Sequence, residues 1–347
     1  MEARATLTKP EAHAVMRQIL SGVVPDLQMA ALLGALAARG ERAEELAGFA
    51  QAMRESGTPL PLTEAERSGL IDTCGTGGDA SGTFNISTAA ALVAAATGAT
   101  VAKHGNRAVT SSCGSADVLE ALGVPIDLSP ARAVASLRTH RFAFLAAPAF
   151  HPTVRAVVPV RRALSVRTVF NVLGPLANPA GARRQVVGVY AKSLVPIVAE
   201  ALVRLGTDRA LVVHGETGEA LRPGLDELSI SGESSVAEVR AGKIHSFALH
   251  PEDAGLSRAP LSALAGGDAQ INAAILSGIF RGEPGPPRDI VVLNAAAVLL
   301  TAGIADDLRD GVRRALSTIS SGAVTELLTS LRSFQAAGTP EQTNPGR

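Results

Sequence analysis

The sequence has no tryptophan, one tyrosine and an aromatic content of only 3% in 347 residues. So sparse a set does not build the stacking platforms on which single-stranded nucleic acids are read. An excess of charge of one sign is also missing, since 32 Lys and Arg balance 32 Asp and Glu. That excludes a broadly basic nucleic-acid coat and gives no support to a polybasic membrane anchor. A charged ligand must therefore be held by local geometry. Cysteine is confined to Cys74 and Cys113, with no CxxC pair, zinc spacing or disulfide framework. A reducing cytoplasm is the expected compartment. Long apolar runs are scarce: the longest, Ile290–Ala305, contains Asn294 and Gly303. It falls short of the ~20 residues that span a bilayer, so a buried helix is expected there. The N-terminal MEARATLTKPEAH has no apolar core, so no signal peptide is expected.

Hydrophobic residues at 46% and charged residues at 18% describe a globular chain. Its length suggests about two domains. Residues 1–66 read as helices, the first opening at Thr8 or Lys9 before Pro10, and no β-like run interrupts them. From residue 67 short strands alternate with helices: strands at 69–74, 100–103, 142–147, 185–190 and 209–214, helices at 85–97, 116–122, 129–140 and 194–205. Alternation of this kind implies right-handed crossovers and a parallel sheet. Residues 235–249 read as a hairpin, so the sheet is expected to be mixed. The chain from Ala269 on is mostly helical, and 336–347 reads as a flexible tail.

Chemistry concentrates in four loops. The first is DTCGTGGDASGTFNIST, residues 72–88, in which glycines and hydroxyls lead from a strand into a helix. Glycines let backbone N–H groups approach a ligand, and a helix start adds unpaired donors, so the segment can cradle an anion. A plain helix start capped by Thr83 or Asn85 is the simpler reading of this loop alone. Two familiar phosphate loops do not fit. No acid lies between Asp79 and Asp117 to bind a ribose, and no GK[ST] occurs. The second loop, KHGNR at 103–107 followed by TSSCGSAD at 110–117, falls on the same carboxyl edge, where ligands bind. The third runs from His151 through Arg161, Arg162 and Arg167 to Asn178, and arginine can clamp a carboxylate through two parallel N–H bonds. The fourth, Gly224–Glu227, places two acids side by side, a donor set suited to Mg²⁺ shared with substrate phosphates.

Together these loops, in this order, resemble the anthranilate phosphoribosyltransferase family. The likeness extends to RTVFNVLGPLANP, GLDELS, Gly266–Asp268 with Asn272, and RDIVVLNA at 288–295, and spans residues 7–335. The resemblance implies a nucleoside-phosphorylase-like phosphoribosyltransferase fold, with a small helical domain (1–66, plus 160–180) and a larger α/β domain (67–335) on a mostly parallel sheet. It implies Mg²⁺-assisted transfer of a phosphoribosyl group from phosphoribosyl pyrophosphate to anthranilate, by a homodimer, without a covalent intermediate. Gly75, Gly78, Asp79, Thr83, Asn85, Ile86, Ser87, Thr88, Lys103, Asn106 and Ser115 would bind the pyrophosphate donor. Ser87, Asp226 and Glu227 would hold the metal. Arg161 would clamp the anthranilate carboxylate, with Gly75, Asn106, His104 and His151 along its route. No residue would act as nucleophile; Lys103, Asn106 and Arg161 would position. Pyrimidine nucleoside phosphorylase shares the architecture and is the rival enzyme; a non-catalytic nucleic-acid-binding relative is the rival from another class. Three departures, Ser165 and Ala296 where the family commonly has glycine and Ala146–Ala147 where it is more aromatic, read as inconsequential. The segment 214–226 is longer than usual and lies beside the metal acids.

Overall fold

The computed structural model describes residues 6–108, 112–218 and 224–336. Helix α1 (Lys9–Leu20) starts where Thr8 and Glu11 form a reciprocal capping box, with Pro10 in the first turn. Helices α2 (Asp26–Arg39) and α3 (Ala43–Ser56) follow. α1 lies directly on α3 because Gly48 has no side chain; a Cβ there would stand 2.3 Å from the Lys9 carbonyl oxygen. A short helix, α4 (Glu64–Gly69), is again set by a capping box, Thr63 with Glu66.

The chain then alternates: β1 (Leu70–Gly75), α5 (Ile86–Thr97), β2 (Thr100–Gly105), α6 (Ser115–Ala121), α7 (Pro130–His140), β3 (Phe142–Ala146) and α8 (Ala147–Phe150). Next come α9 (Val158–Leu164), α10 (Phe170–Leu176), β4 (Arg184–Gly188), α11 (Leu194–Arg204), β5 (Arg209–Gly215), β6 (Ser234–Arg240) and β7 (Lys243–Leu249). The sheet order is β3-β2-β1-β4-β5-β6-β7. The first five strands are parallel, and β6 and β7 add antiparallel at one edge. The hairpin turns through Ala241 and Gly242, both at positive φ, the geometry that matches strand twist. The mixed sheet expected from the pattern is therefore present.

Helices α12 (Ala269–Phe280), α13 (Pro286–Ala302), α14 (Leu308–Ser320) and α15 (Ala323–Ala336) complete the described chain. α13 and α5 cover one sheet face, and α11 covers the other. α13 is buried on all sides, which explains the long apolar run. Among the described residues no helix is long and apolar enough to cross a membrane. Residues of α1–α3, α9 and α10 share one apolar cluster with α11 and the sheet face beneath it. The helical region is thus fastened to the sheet through α11 and the 158–176 segment. The expected tail falls almost wholly outside the described residues.

Of the departures from the family pattern, one has a consequence and another is absorbed by its neighbour. Ser165 is the C-cap of α9 at φ 51°, a left-handed position natural to glycine, so its side chain costs about 1 kcal/mol there. Ala296 is accommodated because Gly311 of α14 faces it: a Cβ on Gly311 would lie 2.7 Å from the Ala296 Cβ.

Candidate active site

The carboxyl ends of β1, β2, β4 and β5 lie at one edge of the sheet. β1 runs out at Gly75, where the Thr76 N–H donates to the Gly188 oxygen at 2.9 Å and the Thr76 hydroxyl accepts the Tyr190 N–H at 3.1 Å. Gly77 and Gly78 then take positive φ, 68° and 73°, which turns the chain back on itself. The Gly77 N–H donates to Asp226 Oδ2 at 2.6 Å. The next N–H groups, of Gly78, Asp79 and Ala80, donate to no protein acceptor among the described residues, which leaves them for a ligand.

Asp226 is held by absence of side chains around it. A Cβ on Gly75 would lie 2.0 Å from Asp226 Oδ2, and one on Gly188 only 1.6 Å from the Asp226 backbone oxygen. Glu227 Oε1 accepts the Ser87 N–H at 2.9 Å, at the start of α5. Lys103, 1% exposed, donates to the Thr73 carbonyl at 2.7 Å and reaches the Ser87 hydroxyl at 3.4 Å. Three of the four loops, distant in sequence, thus meet, and they bring together Ser87, Asp226, Glu227, Asp79 and Lys103. Burial, then Asp79, then Glu227 push the Asp226 carboxyl well above the usual range. Burial raises Glu227 to about 7, against the opposing pull of Lys103. Acids so placed, balanced only in part by Lys103, suit a cation. Among the described residues no group of three or more His, Cys, Asp or Glu could encase one, so further oxygens must come from a ligand.

The extended segment beside these acids is closed at its neck. Gly215 and Leu225 exchange two backbone hydrogen bonds, at 2.9 and 2.7 Å, directly before Asp226. Of the residues between them, 219–223, like Thr110 and Ser111, lie outside the described residues.

The helix start of α5 corrects one expectation. Neither Thr83 nor Asn85 caps it with a side chain. Asn85 instead donates to the Cys113 oxygen at 3.2 Å and accepts from Asn272 at 2.9 Å, and Glu227 supplies the missing acceptor. Thr83 Oγ1 lies 3.2 Å from Ser81 Oγ. Ile86 points into the core, which leaves only its backbone for a ligand. Thr88 is 1% exposed and its hydroxyl has no partner among the described residues. Ser115 Oγ donates to the Asn106 carbonyl at 3.2 Å and packs on Gly105, tying α6 to β2.

A second set of side chains lines the junction with the helical region. His104 Nδ1 lies 3.1 Å from the Gly174 oxygen and His151 Nε2 2.8 Å from the Ala177 oxygen. The two rings meet edge-on with centroids 5.2 Å apart, and His104 Nε2 is buried without a partner among the described residues. Arg161, half-buried, stacks over Phe170 of α10 at 5.4 Å. Burial lowers His104 to about 3, His151 moves in the same direction, and both stay neutral. These are poor bases and good walls. A stability effect follows. Unfolded His104 binds a proton near pH 6.5 whereas the folded ring does not until about 3, so its contribution is complete above 6.5 and lost as pH falls toward 3. At pH 5 the loss is about 2 kcal/mol. Denaturant unfolding at pH 7 and pH 5 should show a shallower pH slope for His104→Gln than for the parent; equal slopes would refute the assignment.

Several contributors left little trace in the sequence. Asp72, fully buried, accepts the His104 N–H at 3.2 Å and the Asn178 side-chain N–H at 2.7 Å, joining β1, β2 and the segment after α10. Asn294 in α13 brackets the backbone of Leu228, accepting from its N–H and donating to its oxygen, both at 3.0 Å. A polar residue inside an otherwise apolar helix was the available signal. Gly188 gave none.

Residues 67–325 match the glycosyl transferase family, a/b domain, and residues 2–57 match its helical bundle domain. An anthranilate phosphoribosyltransferase of Chloroflexus aggregans is 50% identical over 328 residues, covering 94% of each chain. The crystal structure of the Thermus thermophilus anthranilate phosphoribosyltransferase superposes with a TM-score of 0.88 at 48% identity, covering 96% of this chain and 97% of that one. The Saccharomyces cerevisiae enzyme in complex with PRPP and Mg reaches 0.84 at 28% identity, over 95% of this chain and 94% of its own. With its glycine loop, paired acids and helical flank in the arrangement just described, this chain belongs to the anthranilate phosphoribosyltransferase family.

Proposed function

We propose that this chain transfers the phosphoribosyl group of phosphoribosyl pyrophosphate to the amine of anthranilate, releasing pyrophosphate. The observation that carries this is the joint closure of Asp226 on the Gly77 N–H at 2.6 Å and Glu227 on the Ser87 N–H at 2.9 Å. It sets two acids beside the unpaired amides of the glycine loop. Gly75, Gly78, Asp79, Thr83, Asn85, Ser87, Thr88, Lys103, Asn106, Ser115 and the Ile86 backbone form the donor site in this reading. The acids fit a divalent cation: Ser87, Asp226 and Glu227 would hold Mg²⁺, which would neutralise charge on the leaving pyrophosphate. Lys103, fixed at Thr73, adds a cation beneath Ser87.

Arg161 receives the anthranilate carboxylate, and neutral His104 and His151 wall the ring. The C1′–oxygen bond to pyrophosphate breaks as the C1′–nitrogen bond forms, and the amine's proton leaves to pyrophosphate or water. An aromatic amine is uncharged at neutral pH, so positioning suffices where a strong base is absent. Phosphorolysis of a nucleoside has no use for such an acid pair, which disfavours that rival.

The chain is read as a cytoplasmic homodimer that pairs through its helical region, taken as 1–66 with 160–180, against a catalytic 67–335. Val23 and Leu27 stand 73% and 85% exposed between and on α1 and α2, and Cys74 and Cys113 form no disulfide. Sedimentation at the monomer mass would remove the dimer. Loss of anthranilate fluorescence with phosphoribosyl pyrophosphate tests the activity. It should require Mg²⁺, stop with EDTA, and fall at least about tenfold in kcat/KM for Arg161→Ala. No fluorescence loss from the folded protein in either condition would refute the function.

A further inference from the structure

Arg167 lies outside every role assigned so far, yet it makes the one side-chain bond from the helical flank to the glycine loop among the described residues. It stands two residues beyond the α9 cap, in the short strap of residues 165–169 that joins α9, which carries Arg161, to α10. Its Nη2 donates to the Gly78 carbonyl at 2.7 Å, and its guanidinium carbon lies over the Tyr190 ring, 4.4 Å from the centroid. Tyr190 is itself bonded into the loop, through its N–H to Thr76 Oγ1 at 3.1 Å. A cation held over a ring face and hydrogen-bonded through one nitrogen has few other orientations open to it.

The bond has a directional consequence. In a trans peptide the carbonyl and the following N–H point to opposite sides. With the Gly78 oxygen fixed on Arg167, the Asp79 N–H must face away from it, and that N–H is one of the three loop donors without a protein acceptor. Gly77 and Gly78, both at positive φ, have the widest choice of alternative conformations, so this peptide is where the loop most needs an external hold.

We infer that Arg167 is a positioning residue, a clasp from the acceptor-side strap that sets the peptide at Gly78–Asp79 and so orders the donor loop for a pyrophosphate ester. The kinetic side of this inference rests on the function proposed above; the structural side does not.

The test uses Arg167→Ala and Arg167→Lys in the full chain, with two readouts. Amide hydrogen exchange without substrate reads the clasp itself. In both variants the Thr76 and Gly77 amides, bonded to the Gly188 carbonyl and to Asp226, should exchange about tenfold faster or more. Steady-state kinetics read its use. KM for phosphoribosyl pyrophosphate should rise about tenfold, the worth of one charge-assisted hydrogen bond, with kcat within about threefold and KM for anthranilate unchanged. The lysine variant keeps the charge but not the stacked fork and should group with alanine. Unchanged exchange in the alanine variant would overturn the clasp, as would a rise confined to the anthranilate KM. Full recovery of donor affinity by lysine would show that charge alone is at work, and would also overturn it. Absence of turnover in the parent protein would refute the proposed function and leave exchange to decide the clasp.

Discussion

Asp226→Ala should lower Mg²⁺-dependent turnover by about two to three orders of magnitude, in the range of removing one preorganised group from a charge-stabilising site. The substitution does two things that must be told apart. It removes a carboxylate from a cluster in which burial and Asp79 already hold the Asp226 proton tightly. It also releases the Gly77 N–H, whose acceptor is Asp226 Oδ2. Asp226→Asn separates them, since the amide oxygen can still accept from Gly77 while the charge is gone. If the carboxylate holds the metal, both variants lose activity and both need far more Mg²⁺ for half-maximal rate. If it only ties down the loop, Asn stays close to the parent and Ala alone fails. An unaltered Mg²⁺ dependence in the alanine variant would remove Asp226 from the ligand set.

Why some of this was legible in the sequence and some was not comes down to range. Helix starts are local chemistry, and the strand–helix alternation is local periodicity. Thr8 with Glu11 and Ser129 before Pro130 are capping patterns confined to four residues, and the structure uses both. The glycine loop and the acid pair were visible because they store their chemistry as residue types in short runs. What the runs do not encode is who meets whom. Asp72 bonds Asn178 across 106 residues and Arg167 reaches Gly78 across 89. Composition gave no reason to pair them. The capping of α5 failed for the same reason: a local acceptor, Asn85, was at hand, but Glu227, 140 residues beyond Ser87, took the N–H and left Asn85 to Asn272 and Cys113. Ser165 was misjudged because a side-chain comparison says nothing about φ.

Gly188→Ala should be among the most damaging single-methyl additions in the chain, although Gly188 touches no ligand in the proposed reaction. Its Cβ would stand 1.6 Å from the Asp226 backbone oxygen and 2.3 Å from the Asp226 carbonyl carbon. Backbone cannot swing aside as a side-chain end can, so the chain at Asp226 must move or β4 must. β4 is hydrogen-bonded between β1 and β5, which makes the loop the part that yields. Displacing it carries Asp226 away from Gly77 and Glu227 away from Ser87 together, and a shift of about 1 Å in such a site costs about a hundredfold in rate. Overpacking of this kind also costs about 1–3 kcal/mol of stability. Gly34 supplies the opposite case. It lies inside α2 with nothing within 4 Å of an added Cβ. Gly34→Ala should therefore stabilise by about 0.5–1 kcal/mol and leave turnover intact, because alanine loses less backbone freedom on folding. The same chemical change thus has opposite signs at two positions, decided by what faces the new methyl. Thermal unfolding and Mg²⁺-dependent turnover of the two variants check both halves. If Gly188→Ala retained parental turnover, the close approach of Asp226 to β4 would not be what sets the acid pair in place.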